Sequence, residues 1–124
     1  MSIPSDLLFT KSHEWIRLAG DVATVGISDH AQAELTDVVF VELPELGREV
    51  LAGEATAVVE SVKAASDIYS PVAGEIIEAN TDLESDPSLV NTDPYGKGWM
   101  FKLRIAGKPD ATLLDAAAYE AFIH

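Results

Sequence analysis

Five lysines occur in the chain, at positions 11, 63, 97, 102 and 108, so Lys63 is the only primary amine between Lys11 and Lys97. Its neighbours are small or apolar: Val62 before it, Ala64 and Ala65 after it. An uncrowded amine with no competitor nearby is what a carrier lysine needs, if a rigid turn presents it to solvent. Spacing alone fits an ordinary solvated hairpin lysine at least as well. Glu14, Asp67 and His13 are residue types capable of acid–base chemistry, but a small enzyme would need them to converge on one site, and no spacing demands it. His13, His30 and His124 show no i,i+4 or metal-ligand spacing, so no zinc is assigned. The chain has no cysteine, which excludes disulfides, thiolate metal sites and a Cys nucleophile of its own.

The elements that must position these residues read as mostly β. Glu14-Trp15-Ile16-Arg17-Leu18 alternates, and Gly20-Asp21 signals a turn before the strand Val22–Ile27. Ser28 caps a short helix over Asp29–Leu35, with Asp29 at its positive end. Asp37–Leu43 is dense in β-branched residues and reads as a strand, as do Ala55–Val62 and Gly74–Glu78. Trp99–Ile105 alternates apolar with cationic residues. Pro109-Asp110 opens a final helix to about residue 123, with Leu114, Ala118, Ala121 and Phe122 on one face against the sheet. Two Pro-x-x-Gly turns, Pro44–Gly47 and Pro71–Gly74, each deliver the chain into an apolar strand. If they mark a duplicated unit, the segment around Lys63 between them is an exposed hairpin tip.

Composition bounds the function. At 124 residues the chain is one domain, 1–124, and 48% hydrophobic residues with a mean hydropathy of +0.13 supply a core. A formal net charge of −13 repels phosphate backbones and anionic lipid, which argues against nucleic-acid or membrane-surface partners. No stretch has transmembrane length, and the first residues lack a basic region followed by an apolar run. The same negative charge can steer encounters with protein partners, or simply keep the protein soluble.

The run Glu60-Ser61-Val62-Lys63-Ala64-Ala65-Ser66-Asp67-Ile68-Tyr69-Ser70-Pro71-Val72-Ala73-Gly74-Glu75 closely resembles the lipoyl-attachment segment of the glycine cleavage H-protein family. In that family an acidic residue three places before the lysine and a glycine eleven places after it help the attaching enzyme recognise the site; Glu60 and Gly74 stand there. Biotin carriers flank their lysine with methionines, whereas Val62 and Ala64 flank Lys63. Ser12-His13-Glu14-Trp15 resembles the family's entry motif. Val25-Gly26-Ile27 with Ala31-Gln32, then Asp37–Pro44, resembles its second block, and Asn91–Trp99 its third. Thr36 departs from the pattern, which has glycine there, and Ala73 replaces a more usual serine.

The resemblance implies a barrel-sandwich hybrid of the lipoyl/biotinyl-domain type, mostly β, with short peripheral helices and a C-terminal helix. It implies a non-catalytic carrier with lipoate in amide linkage to Lys63. That carrier takes an aminomethyl group from a pyridoxal-phosphate glycine decarboxylase to a tetrahydrofolate-dependent aminomethyltransferase, and electrons to dihydrolipoamide dehydrogenase. A lipoate-attaching enzyme is a further implied partner. Ser12, Glu14 and Asp67 lie in segments that match the family's docking region for the loaded arm, where each could accept a hydrogen bond from a cationic amine. An H-like protein that mainly relays lipoate to other lipoyl domains is the alternative. The implied location is bacterial cytoplasm, or the mitochondrial matrix after removal of a presequence.

Overall fold

The computed structural model describes residues 4–107 and 113–123. Its strands are β1 (Leu8–Phe9), β2 (Glu14–Ala19), β3 (Val22–Ile27), β4 (Val38–Glu42), β5 (Glu49–Val50), β6 (Ala55–Ser61), β7 (Ala65–Tyr69), β8 (Gly74–Ala79), β9 (Phe101–Ile105) and β10 (Leu114–Asp115). The helices are α1 (Asp29–Leu35), α2 (Asp82–Ser85), α3 (Leu89–Thr92) and α4 (Ala116–Ile123). A seven-stranded sheet runs β10-β1-β2-β3-β9-β8-β5, and a three-stranded sheet runs β4-β6-β7, with antiparallel pairing throughout. Ile16, Val25, Ile76 and Leu103 from the first sheet share one core with Val41, Val59 and Ile68 from the second. Each fully buried side chain of this size contributes about 1.5–3 kcal/mol. This is a mostly-β sandwich with short peripheral helices. No helix among the described residues is long and apolar enough to cross a membrane.

The alternation in β9 sets its register. Phe101 and Leu103 are buried, while Lys102 reaches Glu78 and Arg104 reaches Glu75 and Asp21 across the outer face. The two Pro-x-x-Gly turns bring their strands side by side, with Glu49 opposite Glu75 and Val50 opposite Gly74. Their glycines serve different ends. Gly47 has φ +87°, a left-handed conformation that suits a residue without Cβ, whereas a Cβ on Gly74 would collide with the Arg104 carbonyl oxygen.

The C-terminal helix differs from the sequence reading. Pro109 and Asp110 lie outside the described residues. The helix starts at Ala116, where the Asp115 carboxylate accepts the Ala118 N–H, and Leu114 belongs to a short strand beside Phe9. Ala118, Ala121 and Phe122 face outward. The packed side is centred on Tyr119 with Ala116 and Ile123, at i, i+3 and i+7. Tyr119 wins because its ring stacks on Phe9 at 4.3 Å between centroids and its hydroxyl is bonded inside.

Candidate functional site

Lys63 lies at the tip of the β6–β7 hairpin, on a turn that closes on itself. The Ser61 N–H donates to the Ala64 carbonyl at 2.8 Å, and Ser61 Oγ accepts the N–H groups of Lys63 and Ala64 at 3.1 and 3.0 Å. A hydroxyl that satisfies two turn amides holds the tip in one shape. The tip is also tied to the body. The Val62 N–H donates to the Asp37 carbonyl at 3.0 Å, and Lys63 Nζ donates to the Glu34 carbonyl in the last turn of α1 at 3.2 Å. A cation is favoured at that end of a helix.

The α1–β4 link that receives the tip is held by Asn91. Its side-chain oxygen accepts the Val38 N–H at 2.9 Å, and its amide nitrogen donates to Gln32 Oε1 and to the Thr36 carbonyl. Nearby, the Tyr95 hydroxyl accepts the Asp29 N–H, and the Pro94 carbonyl accepts Trp15 Nε1–H at 2.9 Å. The 91–99 block therefore clamps α1, β2 and β4 together. Thr36 sits in this link at φ 63°, ψ −151°, a region that glycine alone occupies freely. Its departure from the family's glycine is thus a departure at a backbone position that calls for glycine.

A cleft of about 310 Å³ opens beside Lys63 between the hairpin and α1, lined by apolar Ile27, Ala31, Leu35 and Ile68 and by polar Ser12, His13, Glu34 and Asp67. Lys63, Ser12 and Asp67 thus share one cleft. Glu14 does not line it. Its carboxylate is buried behind Ser12 and accepts hydrogen bonds from Thr10 Oγ1 at 2.5 Å, Ser12 Oγ at 2.6 Å and the Tyr69 N–H at 3.3 Å. It lies at the floor of a neighbouring cleft with Gly53, Tyr69 and Ser70, and Ser12 borders both clefts. The turn at 10–13 supplies the two hydroxyls that fold over this carboxylate, which is why Glu14 is buried rather than open to the Lys63 cleft.

Glu60 is exposed on β6, opposite Phe40 on one side and Ala65 on the other. Gly74 lies in the other sheet, where it lets β8 approach β9 closely. His13 and His30, far apart in sequence, meet with ring centroids 4.8 Å apart. His30 Nε2 pairs with Glu34 Oε1 at 2.7 Å, and His13 Nδ1 is hydrogen-bonded to the Tyr119 hydroxyl at 2.8 Å. Burial first, and the His30 charge second, push the His13 pKa below 6.5. Burial likewise pushes Tyr119 up to about 12, so its hydroxyl keeps its proton and links His13 to Ser28. Sequence spacing carried no sign of this pair, since it is the β2–β3 pairing, with Glu14 opposite Ile27, that brings the turn before β2 beside the start of α1. Among the described residues, no three His, Asp or Glu side chains gather in a way that could hold a metal ion.

The sequence model of the Glycine cleavage H-protein family matches residues 7–124. A Glycine cleavage system H protein of Rubrobacter xylanophilus is 61% identical over 108 residues, covering 87% of this chain and 86% of its own. That of Laribacter hongkongensis is 57% identical over 121 residues, covering 96% and 95%. The crystal structure of a glycine cleavage system H protein from Mycobacterium marinum superposes with a TM-score of 0.90 at 42% identity, covering 96% of this chain and 97% of that one. With a matching fold and a family match over nearly its whole length, the chain belongs to the glycine cleavage H-protein family.

Proposed function

We propose that this chain is the lipoyl carrier of a glycine cleavage system, with lipoate in amide linkage to Lys63 and no turnover of its own. One observation carries the reading: an exposed amine on a self-closed turn beside a cleft with an apolar wall and oxygen acceptors. The cleft suits the group. Its volume lies at the lower end of small-ligand sites; Ile27, Ala31, Leu35 and Ile68 match a hydrocarbon chain, and Ser12 and Asp67 match a cationic amine at its end. When bound, lipoate supplies a disulfide that can take up a one-carbon unit and two electrons, and this chemistry belongs to the cofactor.

The protein's own residues position and shield. Ser61 fixes the turn, and acylation of Lys63 removes the charge that now rests on the Glu34 carbonyl. Asp67 offers a carboxylate at the cleft edge, while Glu14 accepts the Ser12 hydroxyl proton and so orients the Ser12 lone pairs toward the cleft. The carrier accepts an aminomethyl unit at a pyridoxal-phosphate glycine decarboxylase, yields it at a tetrahydrofolate-dependent aminomethyltransferase and returns electrons to dihydrolipoamide dehydrogenase. Glu60 and Gly74 serve recognition by the attaching enzyme, Gly74 through the sheet geometry it permits. The test is glycine-dependent exchange of labelled bicarbonate with the decarboxylase. The lipoylated chain supports exchange and Lys63→Arg does not; a lipoylated chain that supports none contradicts the proposal.

A further inference from the structure

Outside the cleft, large apolar side chains are exposed at one place where strand geometry would ordinarily hide one of them. In β4, Val38 pairs with Ser61 and Phe40 with Glu60, so Val39 is an extra residue in a β-bulge. Strict alternation from buried Val38 would turn Phe40 inward and Val41 outward. The bulge resets the phase. Val41 is buried, while Val39 and Phe40 both face out, 53% and 50% exposed. Bulges re-aim side chains in this way, and they recur beside functional sites.

The patch is continuous with the hairpin tip. Phe40 lies across from Glu60, three residues before Lys63, which is about 10 Å along a strand. Val62, adjacent to Lys63, is 69% exposed and joined by its N–H to Asp37, two residues before Val39. On its other side Phe40 opens into a groove of about 670 Å³, more than twice the cleft beside Lys63. Leu43, Leu46 and Ala79 give that groove an apolar lining, and Glu42, Glu45, Glu78 and Glu84 surround it. No described Lys or Arg lines it, and among these carboxylates only Glu78 meets a described cation, Lys102.

An apolar seat ringed by carboxylates fits an apolar protrusion flanked by Lys and Arg. Of the enzymes that act on this chain, the one that acylates Lys63 must come nearest, because the bare lysine has no arm to reach across a gap. Any enzyme whose active site encloses the Lys63 amine covers Val62 and stands over Phe40. We infer that Val39, Phe40 and Val62, with the groove from Phe40 to Leu46, are the docking face for the lipoate-attaching enzyme, which contacts it through an apolar protrusion flanked by basic residues. This rests on the reading of Lys63 as the acylated lysine.

The experiment measures lipoylation of the unmodified full-length chain by a purified lipoate–protein ligase supplied with lipoate and ATP, read by intact mass. Phe40→Ser raises KM about tenfold or more with kcat unchanged, the size expected for a buried aromatic anchor. Phe40→Leu restores most of the loss. Leu51→Ser, at a still more exposed apolar residue away from this face, leaves KM unchanged. Wild-type KM rises with salt, and Glu42→Gln with Glu45→Gln flattens that dependence. Wild-type KM for Phe40→Ser overturns the docking face while leaving Lys63 as the acceptor. Absence of any acylation of the wild type overturns the reading of Lys63 and the docking face with it.

Discussion

Thr36→Gly is a substitution that should make this protein more stable. Thr36 caps the end of α1 at φ 63°, ψ −151°, where a β-branched side chain is held against its preference at a cost of about 1–3 kcal/mol. The contacts that fix this conformation are made by the backbone. The Thr36 N–H donates to Gln32 O at 3.0 Å, and its carbonyl accepts Asn91 Nδ2–H at 2.8 Å. Glycine keeps both. The hydroxyl reaches only the adjacent Leu35 carbonyl in an exposed position. Against the relieved strain stands the greater freedom of glycine in the unfolded chain, about 0.4–1 kcal/mol. The net gain is centred near 1 kcal/mol, with about 2.5 kcal/mol as its upper bound, and 1 kcal/mol is roughly 3–5 °C in Tm for a chain of this size. Urea unfolding and a thermal melt of wild type, Thr36→Gly and Thr36→Ala measure it. Alanine removes the hydroxyl but keeps Cβ, so it stays within about 0.5 kcal/mol of wild type. A glycine variant no more stable than the alanine variant refutes the argument that backbone conformation is what Thr36 strains against.

Gly74→Ala drives a Cβ into the Arg104 carbonyl oxygen and to 2.8 Å from Leu103 Cδ1. It should cost about 2–3 kcal/mol in urea unfolding, as overpacking does; a near-neutral effect would refute the tight β8–β9 approach at Gly74 and any recognition role that rests on it. Tyr119→Phe keeps the stack on Phe9 but deletes the hydroxyl bonded to Ser28 Oγ at 2.7 Å and His13 Nδ1 at 2.8 Å. A loss of about 1–2 kcal/mol is expected, measured by the same unfolding curves. The folded His13 pKa lies below 6.5, so the unfolded chain takes up this proton first. Its stabilising effect is complete above about pH 6.5, declines as pH falls toward the folded value and is lost below it. His13→Gln should remove that part of the stability–pH curve, and an unchanged curve would show that His13 is not held neutral.

Local signals carried most of the fold. Ser28 caps α1 as its position suggests, accepting the Ala31 N–H at 3.1 Å, and the span Asp29–Leu35 follows from that cap. Val22–Ile27 is the strand its composition implies, and β6, β8 and β9 lie within two residues of their expected bounds. What sequence could not show depends on contacts between distant segments. The buried face of α4 is chosen by Phe9 and Ser28, more than ninety residues upstream of Tyr119, and not by the helix's own pattern. Asp37–Leu43 reads as a strand, but the bulge that turns Phe40 outward is set by pairing with β6 and is not visible in the run itself. Glu14, expected with Ser12 and Asp67 at the arm's docking region, is instead buried because Thr10 and Ser12 close over it. Asn91 enters the sequence only as the start of a motif block, and its role in bracing α1 against β4 emerges from contacts with residues more than fifty positions away. The sequence does carry one sign of the tip's rigidity, namely Ser61 two residues before Lys63, a spacing that suits a hydroxyl-closed turn.

The most direct test of the central claim is intact mass with peptide mapping of the wild type and Lys63→Arg, each produced in a lipoate-replete host that lipoylates other domains. The account predicts one lipoyl group on the wild type, on the peptide containing Lys63, and none on Lys63→Arg. An unmodified wild type, or a lipoyl group that maps to another lysine, would contradict it.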